Sequence, residues 1–137
     1  CLNDKIIYLY TESLMKKFFT DCKLLLSNEG TLVLQLYNYN IINNEKVVKL
    51  PVRESIRSKI MEQIVKTDND EFVINQFLEN SSEKIIPLLQ RQKIFPIVPE
   101  QIEEFAKEAG FTKIEFFEDY SKKPFTAESK SLVCLIS

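Results

Sequence analysis

Thr31-Leu32-Val33-Leu34-Gln35-Leu36-Tyr37 is a nearly continuous apolar run. A run this short and this apolar has no polar face to offer to water. It is the pattern of a strand covered on both sides in a parallel α/β sheet. The preceding residues supply one cover. Thr11 is an N-cap with acidic Glu12 in the first turn, and Leu14, Met15, Phe18, Phe19, Cys22, Leu25 and Leu26 recur at helical spacing. Gly30 is expected to end this segment in a left-handed conformation. Upstream, Cys1-Leu2-Asn3-Asp4 reads as the end of another buried strand. Strand, helix and strand in so short a span make a βαβ unit with a right-handed crossover. A domain does not ordinarily open in the middle of a core strand, so further polypeptide is expected ahead of Cys1.

The segment from 40 to 98 follows a different pattern. Ile56, Ile60, Met61, Ile64 and Val65 fall at helical spacing, which predicts a helix over Glu54 to Val65. Asp68-Asn69-Asp70 and Asn80-Ser81-Ser82 are turn sequences. Phe72 to Leu78 and Lys84 to Phe95 read as strands, with Pro87 keeping the second at an edge or a bulge. The whole reads as a mostly antiparallel excursion. Pro99-Glu100 then starts a helix with Ile102, Phe105, Ala106 and Ala109 on its buried side and Gly110 as its cap. Lys113 to Tyr120 and Ser131 to Ile136 close the chain as two neighbouring antiparallel strands.

Composition narrows the function. The 137 residues include only two glycines, Gly30 and Gly110, too few for a glycine-rich phosphate or dinucleotide loop within this stretch. Histidine is absent and the three cysteines, Cys1, Cys22 and Cys134, lack metal-ligand spacing, which argues against zinc and against imidazole acid–base chemistry. They read as reduced, buried thiols of a cytoplasmic protein. The net charge of −2, with scattered Lys and Arg, gives no basic face for nucleic acid. No apolar run approaches the length needed to cross a bilayer.

Three segments, taken in order, resemble the class I S-adenosylmethionine-dependent methyltransferases. CLNDKIIYLYTESLMKKFFTDCKLLLSNEGTLVLQLYN is similar to the family's fourth strand, the polar residue at its tip, the next helix and the fifth strand. Ser27-Asn28-Glu29-Gly30 stands where the family usually has a Gly-Gly turn. Val98-Pro99-Glu100-Gln101-Ile102 leading to Glu108-Ala109-Gly110-Phe111 looks like the family's last helix. Phe117-Glu118-Asp119-Tyr120 through Pro124-Phe125 to the terminus looks like the hairpin of strands six and seven. The resemblance implies an α/β fold: a partial Rossmann-like sheet with strands 4, 5, 7 and 6 and an inserted antiparallel β excursion at about 41–98. It also implies that the glycine-rich loop and the acidic ribose binder, which hold most of the cofactor, lie outside the chain. Tyr37-Asn38-Tyr39-Asn40 is similar to the Asn-Tyr-Asp segment of the glycine N-methyltransferase-like group, with Asn40 in place of the acidic residue.

Ligands of doubly wound sheets sit beyond the carboxyl ends of the strands. Taken with the resemblance, this makes Leu2, Asn3 and Asp4 the expected contacts to S-adenosylmethionine. The match to the glycine N-methyltransferase-like group implies Asn38 and Tyr39 as contacts to a small-molecule substrate, for which an amine fits the resemblance, with Tyr8 as a wall of the same pocket. Arg53, Arg57 and Arg91 are further candidates for a substrate carboxylate. Methyl transfer from a sulfonium is a displacement with an activated leaving group. Orientation supplies much of its acceleration, so neither a triad nor a metal is needed. Two other functions fit the same residues: a non-enzymatic α/β interaction module, and a half-domain that self-associates as a homodimer through an exposed sheet edge.

Overall fold

The computed structural model describes residues 1–42 and 46–137, with Ile41 and Ile42 described by their backbone. The chain divides into two compact units, one formed by Cys1–Asn40 with Phe95–Ser137 and the other by Ile41–Ile94.

In the first unit, helix α1 (Glu12–Leu25) begins at Thr11, whose side chain accepts the Leu14 N–H. Met15 and Phe19 are fully buried, whereas Leu14 and Leu25 are 38% and 86% exposed, so the apolar stripe is narrower than its spacing suggests. The turn Ser27–Gly30 follows, closed by Gly30 N–H to Ser27 O at 2.9 Å. Gly30 is not left-handed. It is needed for room: a Cβ there would stand 2.9 Å from Leu26 Cδ2. Gly110, with φ of 91°, does take the left-handed cap after helix α2 (Pro99–Glu108). Ile102, Phe105 and Ala106 of α2 are buried, and Gln101 Oε1 accepts the Val98 N–H at the helix start.

Strand β1 (Leu32–Tyr37) pairs antiparallel with β8 (Ser131–Ile136), which pairs antiparallel with β7 (Ile114–Phe117). Inward Leu32, Leu34 and Leu36 are buried beside Leu132, Cys134 and Ile136. On the other side of β1, the Cys1 amino group donates to Val33 O at 2.7 Å and Cys1 O accepts from Gln35 N at 3.0 Å. One residue bracketed by two bonds to residues i−1 and i+1 of its neighbour is the parallel pattern. Cys1 thus runs parallel to Leu34, giving the sheet order expected for strands 4, 5, 7 and 6.

The second unit is an antiparallel sheet in the order β2 (Val47–Lys49), β4 (Ser58–Lys66), β5 (Phe72–Asn80) and β6 (Ile85–Ile94), with β3 (Arg53–Glu54) also on β4. The helix expected over Glu54 to Val65 is instead the end of β3, a turn and most of β4. Three of its five spacing residues are β-branched isoleucine or valine inside β4, and β5 offers it a continuous register from Ser58↔Asn80 to Lys66↔Phe72. Ile56, counted in the helical stripe, lies in the turn and is fully exposed. Pro87 sits in the edge strand β6 as expected. No helix of the described residues is long and apolar enough to cross a membrane.

Candidate functional site

The parallel pairing of Cys1 with Leu34 brings two chain turns to the same end of the sheet. Cys1–Asp4 is not the end of a buried strand that was expected: Cys1, Leu2 and Asn3 are exposed, and Asn3 and Asp4 turn away with φ of 57° and 58°, a left-handed conformation that these two residue types tolerate better than most. The Asn3 N–H donates to Gln35 Oε1 at 3.0 Å and the Asp4 N–H to Gln35 O at 3.2 Å. The turn passes directly into a 3₁₀ segment, Lys5–Tyr8, whose Ile6 and Ile7 are buried.

The Asp4 carboxylate reaches across to the residues that follow β1. Its Oδ1 accepts the Tyr37 N–H at 2.6 Å and the Tyr39 hydroxyl at 3.2 Å. Bonds to an ionised acceptor are about twice as strong as neutral ones, and these tie the two strand tips into one rim. Tyr39 is 1% exposed, so its ring is part of the core and only its oxygen serves the rim.

Asn38, expected beside a substrate, is completely buried. Its Nδ2 donates to Ala127 O at 3.1 Å and Ser129 O at 2.9 Å, while its Oδ1 accepts the Asn40 N–H at 3.2 Å. Both amide hydrogens are spent, so Asn38 fastens the turn after β1 to the β7–β8 connection and has no hydrogen left for a ligand. The buried Ser129 is held in turn by the Thr126 N–H, donating to its Oγ at 3.0 Å.

Tyr8 is half-buried, with Lys5 Nζ 5.5 Å from its ring centroid. Leu2, expected among the cofactor contacts, lines a groove of about 590 Å³ with Cys22, Leu25, Leu26, Val33 and Tyr120. Of the arginines, Arg53 is bound through Nη2 to Glu62 Oε1 at 3.0 Å, where Gln76 Nε2 also donates at 2.6 Å. Arg57 lies in the exposed turn before β4, and Arg91 has a φ of 50° with its N–H on Asn75 Oδ1.

Sequence reasoning passed over Gln35 and Ser129. Gln35 carried a signal, being the one amide in the apolar run; Ser129 carried none. Among the described residues no group of His, Cys, Asp or Glu could hold a metal ion. Of the three cysteines expected to be buried, only Cys134 is; Cys22 is half-buried and Cys1 is exposed at the surface. Burial pushes the Cys134 thiol up to about 12 and raises Cys22 as well, so neither is an activated nucleophile.

No protein-family model matches the chain, and no curated protein matches it in sequence. Solved structures do match in shape. CcbJ methyltransferase from Streptomyces caelestis superposes with a TM-score of 0.75 at 14% identity, covering 98% of this chain and 54% of that one. An S-adenosylmethionine-dependent methyltransferase from Clostridium acetobutylicum gives 0.72 at 15%, covering 100% and 56%. The sugar N-methyltransferase KedS8 from Streptoalloteichus gives 0.55 at 14%, covering 98% and 53%. The fold is that of a class I methyltransferase. This chain spans about half the length of each of these three methyltransferases, and the expected partial Rossmann-like α/β class is the one found.

Proposed function

We propose that Cys1–Ser137 is the acceptor-side half of an S-adenosylmethionine-dependent methyltransferase that methylates an amine nitrogen on a small molecule. The observation that carries this reading is the Asp4 lock: two adjacent parallel strand tips, joined by Asp4 Oδ1 to the Tyr37 N–H and the Tyr39 hydroxyl, at the end where doubly wound sheets take their ligands. KedS8, a sugar N-methyltransferase of the same fold, supports an amine acceptor, in keeping with the resemblance of Tyr37 to Asn40 to the glycine N-methyltransferase-like group.

The residues present fit one edge of a cofactor site. Neither glycine is free to make a cradle, since Gly30 is packed against Leu26 and Gly110 caps α2. The glycine-rich loop and ribose-binding acid therefore belong, in this proposal, to polypeptide outside these residues. The cofactor supplies an activated methyl group on a sulfonium. The chain's part is to orient: the Asn3–Asp4 turn forms the rim beside the cofactor, Tyr8 walls the acceptor, and Asn38 and Tyr39 hold that rim in place as positioning residues. A fixed geometry of this kind converts binding into rate by proximity.

Two measurements test this. Calorimetric titration of the 137-residue chain with S-adenosylhomocysteine should show no binding; a micromolar constant would mean that the cofactor site is complete within it. In the chain joined to a cofactor-binding half, transfer of labelled methyl groups to amines should fall by about 10- to 100-fold in kcat/KM for Asp4→Ala, which removes the acceptor shared by Tyr37 and Tyr39 and so misplaces the rim. Equal transfer by wild type and variant would sink the assignment.

A further inference from the structure

Parallel pairing of the N-terminal segment with β1 stops after one step, and two side chains take over from it. Cys1 stands opposite Leu34, its amino group donating to Val33 O and its carbonyl accepting the Gln35 N–H. One step further along the same ladder, the Asn3 N–H would donate to Gln35 O and the Asn3 carbonyl would accept the Tyr37 N–H. Instead the Asn3 N–H goes to Gln35 Oε1 at 3.0 Å, and Gln35 O takes the N–H of the next residue, Asp4, at 3.2 Å. The Tyr37 N–H goes to Asp4 Oδ1 at 2.6 Å. The segment has gained one residue against its neighbour, as in a bulge. Each displaced ladder bond is made good by a side chain from the other side of the pairing, Gln35 for Asn3 and Asp4 for Tyr37.

Gln35 thus carries three bonds to this turn: its N–H on Cys1 O, its main-chain carbonyl under Asp4 and its side-chain carbonyl under Asn3. Two successive non-glycine residues at φ of 57° and 58° cost free energy and persist only where the surroundings hold them. The direction of the Asp4 carboxylate depends on that turn. Leu32, Val33, Leu34 and Leu36 of the same strand have no side-chain acceptor to offer, which accounts for an amide at this one place in an apolar run.

We infer that Gln35 is a positioning residue of the methyl-transfer site. It forms one side of a two-sided clasp: Gln35 fixes the Asn3–Asp4 turn, and the turn fixes Asp4 on the Tyr37 N–H and the Tyr39 hydroxyl. Gln35 acts on the chemistry only through Asp4. The use made of the clasp rests on the proposed activity; the coupling of its two sides does not.

Amide hydrogen exchange of the 137-residue chain, followed by nuclear magnetic resonance, reads the coupling without that activity. Gln35→Met should speed exchange of the Tyr37 amide by about 10-fold, the factor for a weakened bond to a charged group. Leu34 and Leu36, in the ladder with β8, should keep their rates. Asp4→Ala already frees the Tyr37 amide, so Asp4→Ala/Gln35→Met should be no faster than Asp4→Ala. Gln35→Val, with a strand-forming side chain and no acceptor, takes the place of Gln35→Met if that variant fails to fold. In the chain joined to a cofactor-binding half, Gln35→Met should lower kcat by about 10-fold and leave the KM for S-adenosylmethionine within a few-fold of wild type, because orientation is lost and binding is kept. A joined wild type that transfers no methyl fails the proposed activity, and with it the use given to the clasp, whatever the exchange shows. A Tyr37 amide as well protected in Gln35→Met as in wild type overturns the inference. So do additive effects in the double variant, or equal acceleration of Leu34 and Leu36, which would mark a general loss of stability. An unchanged kcat beside a raised KM would make Gln35 a ligand contact and overturn it too.

Discussion

Replacing Asn38 by alanine tests how the rim is held. The side chain serves two carbonyls, Ala127 O and Ser129 O, and one amide, that of Asn40, from a fully buried position. Each buried polar group left without a partner costs about 1–3 kcal/mol, partly recovered where water enters, so Asn38→Ala should cost about 2–4 kcal/mol. At a urea m-value of about 1–3 kcal/mol/M, that is a fall of roughly 0.7–4 M in the unfolding midpoint, followed by near-ultraviolet circular dichroism. Asn38→Asp sharpens the test. It keeps the acceptor for Asn40 but sets a carboxylate against two carbonyl oxygens. Burial and repulsion both raise the folded-state pKa of the introduced carboxyl above its unfolded value of about 3.9. Its stability is then fully present below that value and lost as pH rises through the folded pKa. Asn38→Asp should therefore be less stable than Asn38→Ala at neutral pH, with the order closing or reversing in acid. Equal midpoints for Asn38→Ala and the exposed control Asn28→Ala, or a neutral-pH Asn38→Asp as stable as wild type, would refute the reasoning.

Three further outcomes follow from the same structure. Tyr39→Phe removes a hydroxyl bonded to Asp4 Oδ1 and should lower stability by about 1.5–3 kcal/mol, the range for hydrogen bonds to charged groups, seen as a lower urea midpoint. Burial lifts the Cys134 thiol from 9.0 to about 12; its protonated form stabilises the fold fully below pH 9, and that contribution is lost as pH rises toward 12. Stability should thus decline by up to about 1.4 kcal/mol per pH unit in that window, a decline that Cys134→Ala lessens, and dithionitrobenzoate should label Cys134 only after unfolding. Gly30→Ala and Gly110→Ala should each lower the thermal midpoint for different reasons: contact with Leu26 at the first, and a φ of 91° with no neighbour within 4 Å at the second. The strain at Gly110 should be about 1–3 kcal/mol.

Elements whose fate is decided locally were legible in the sequence. The run from Thr31 to Tyr37, the Thr11 cap and the Pro99 start each carry their own structural reason, and they appear where expected. Residues 54–65 were misread because five apolar positions fit a 3.6-residue period by coincidence. What decides β4 is its pairing with β5, which one-dimensional periodicity does not contain. The site divides the same way. Asn3 and Asp4 could be placed at a strand tip from their order alone. Whether Asn38 faces a ligand or the interior depends on Ala127 and Ser129, which approach it only once β8 has folded back along β1.

That fold-back has an evolutionary side. The first unit is assembled from two separate stretches of chain, with Ile41–Ile94 spliced between them, and β1 meets β8 in an unbroken ladder from Leu32↔Ile136 to Tyr37↔Ser131. The entropy of closing a flexible connection grows only logarithmically, about 0.6 kcal/mol for each doubling of its length. The spliced segment is therefore free to be lengthened, shortened or exchanged between lineages at little thermodynamic expense to the ladder. The ladder and the Asp4 rim set little limit on the length of the segment between them.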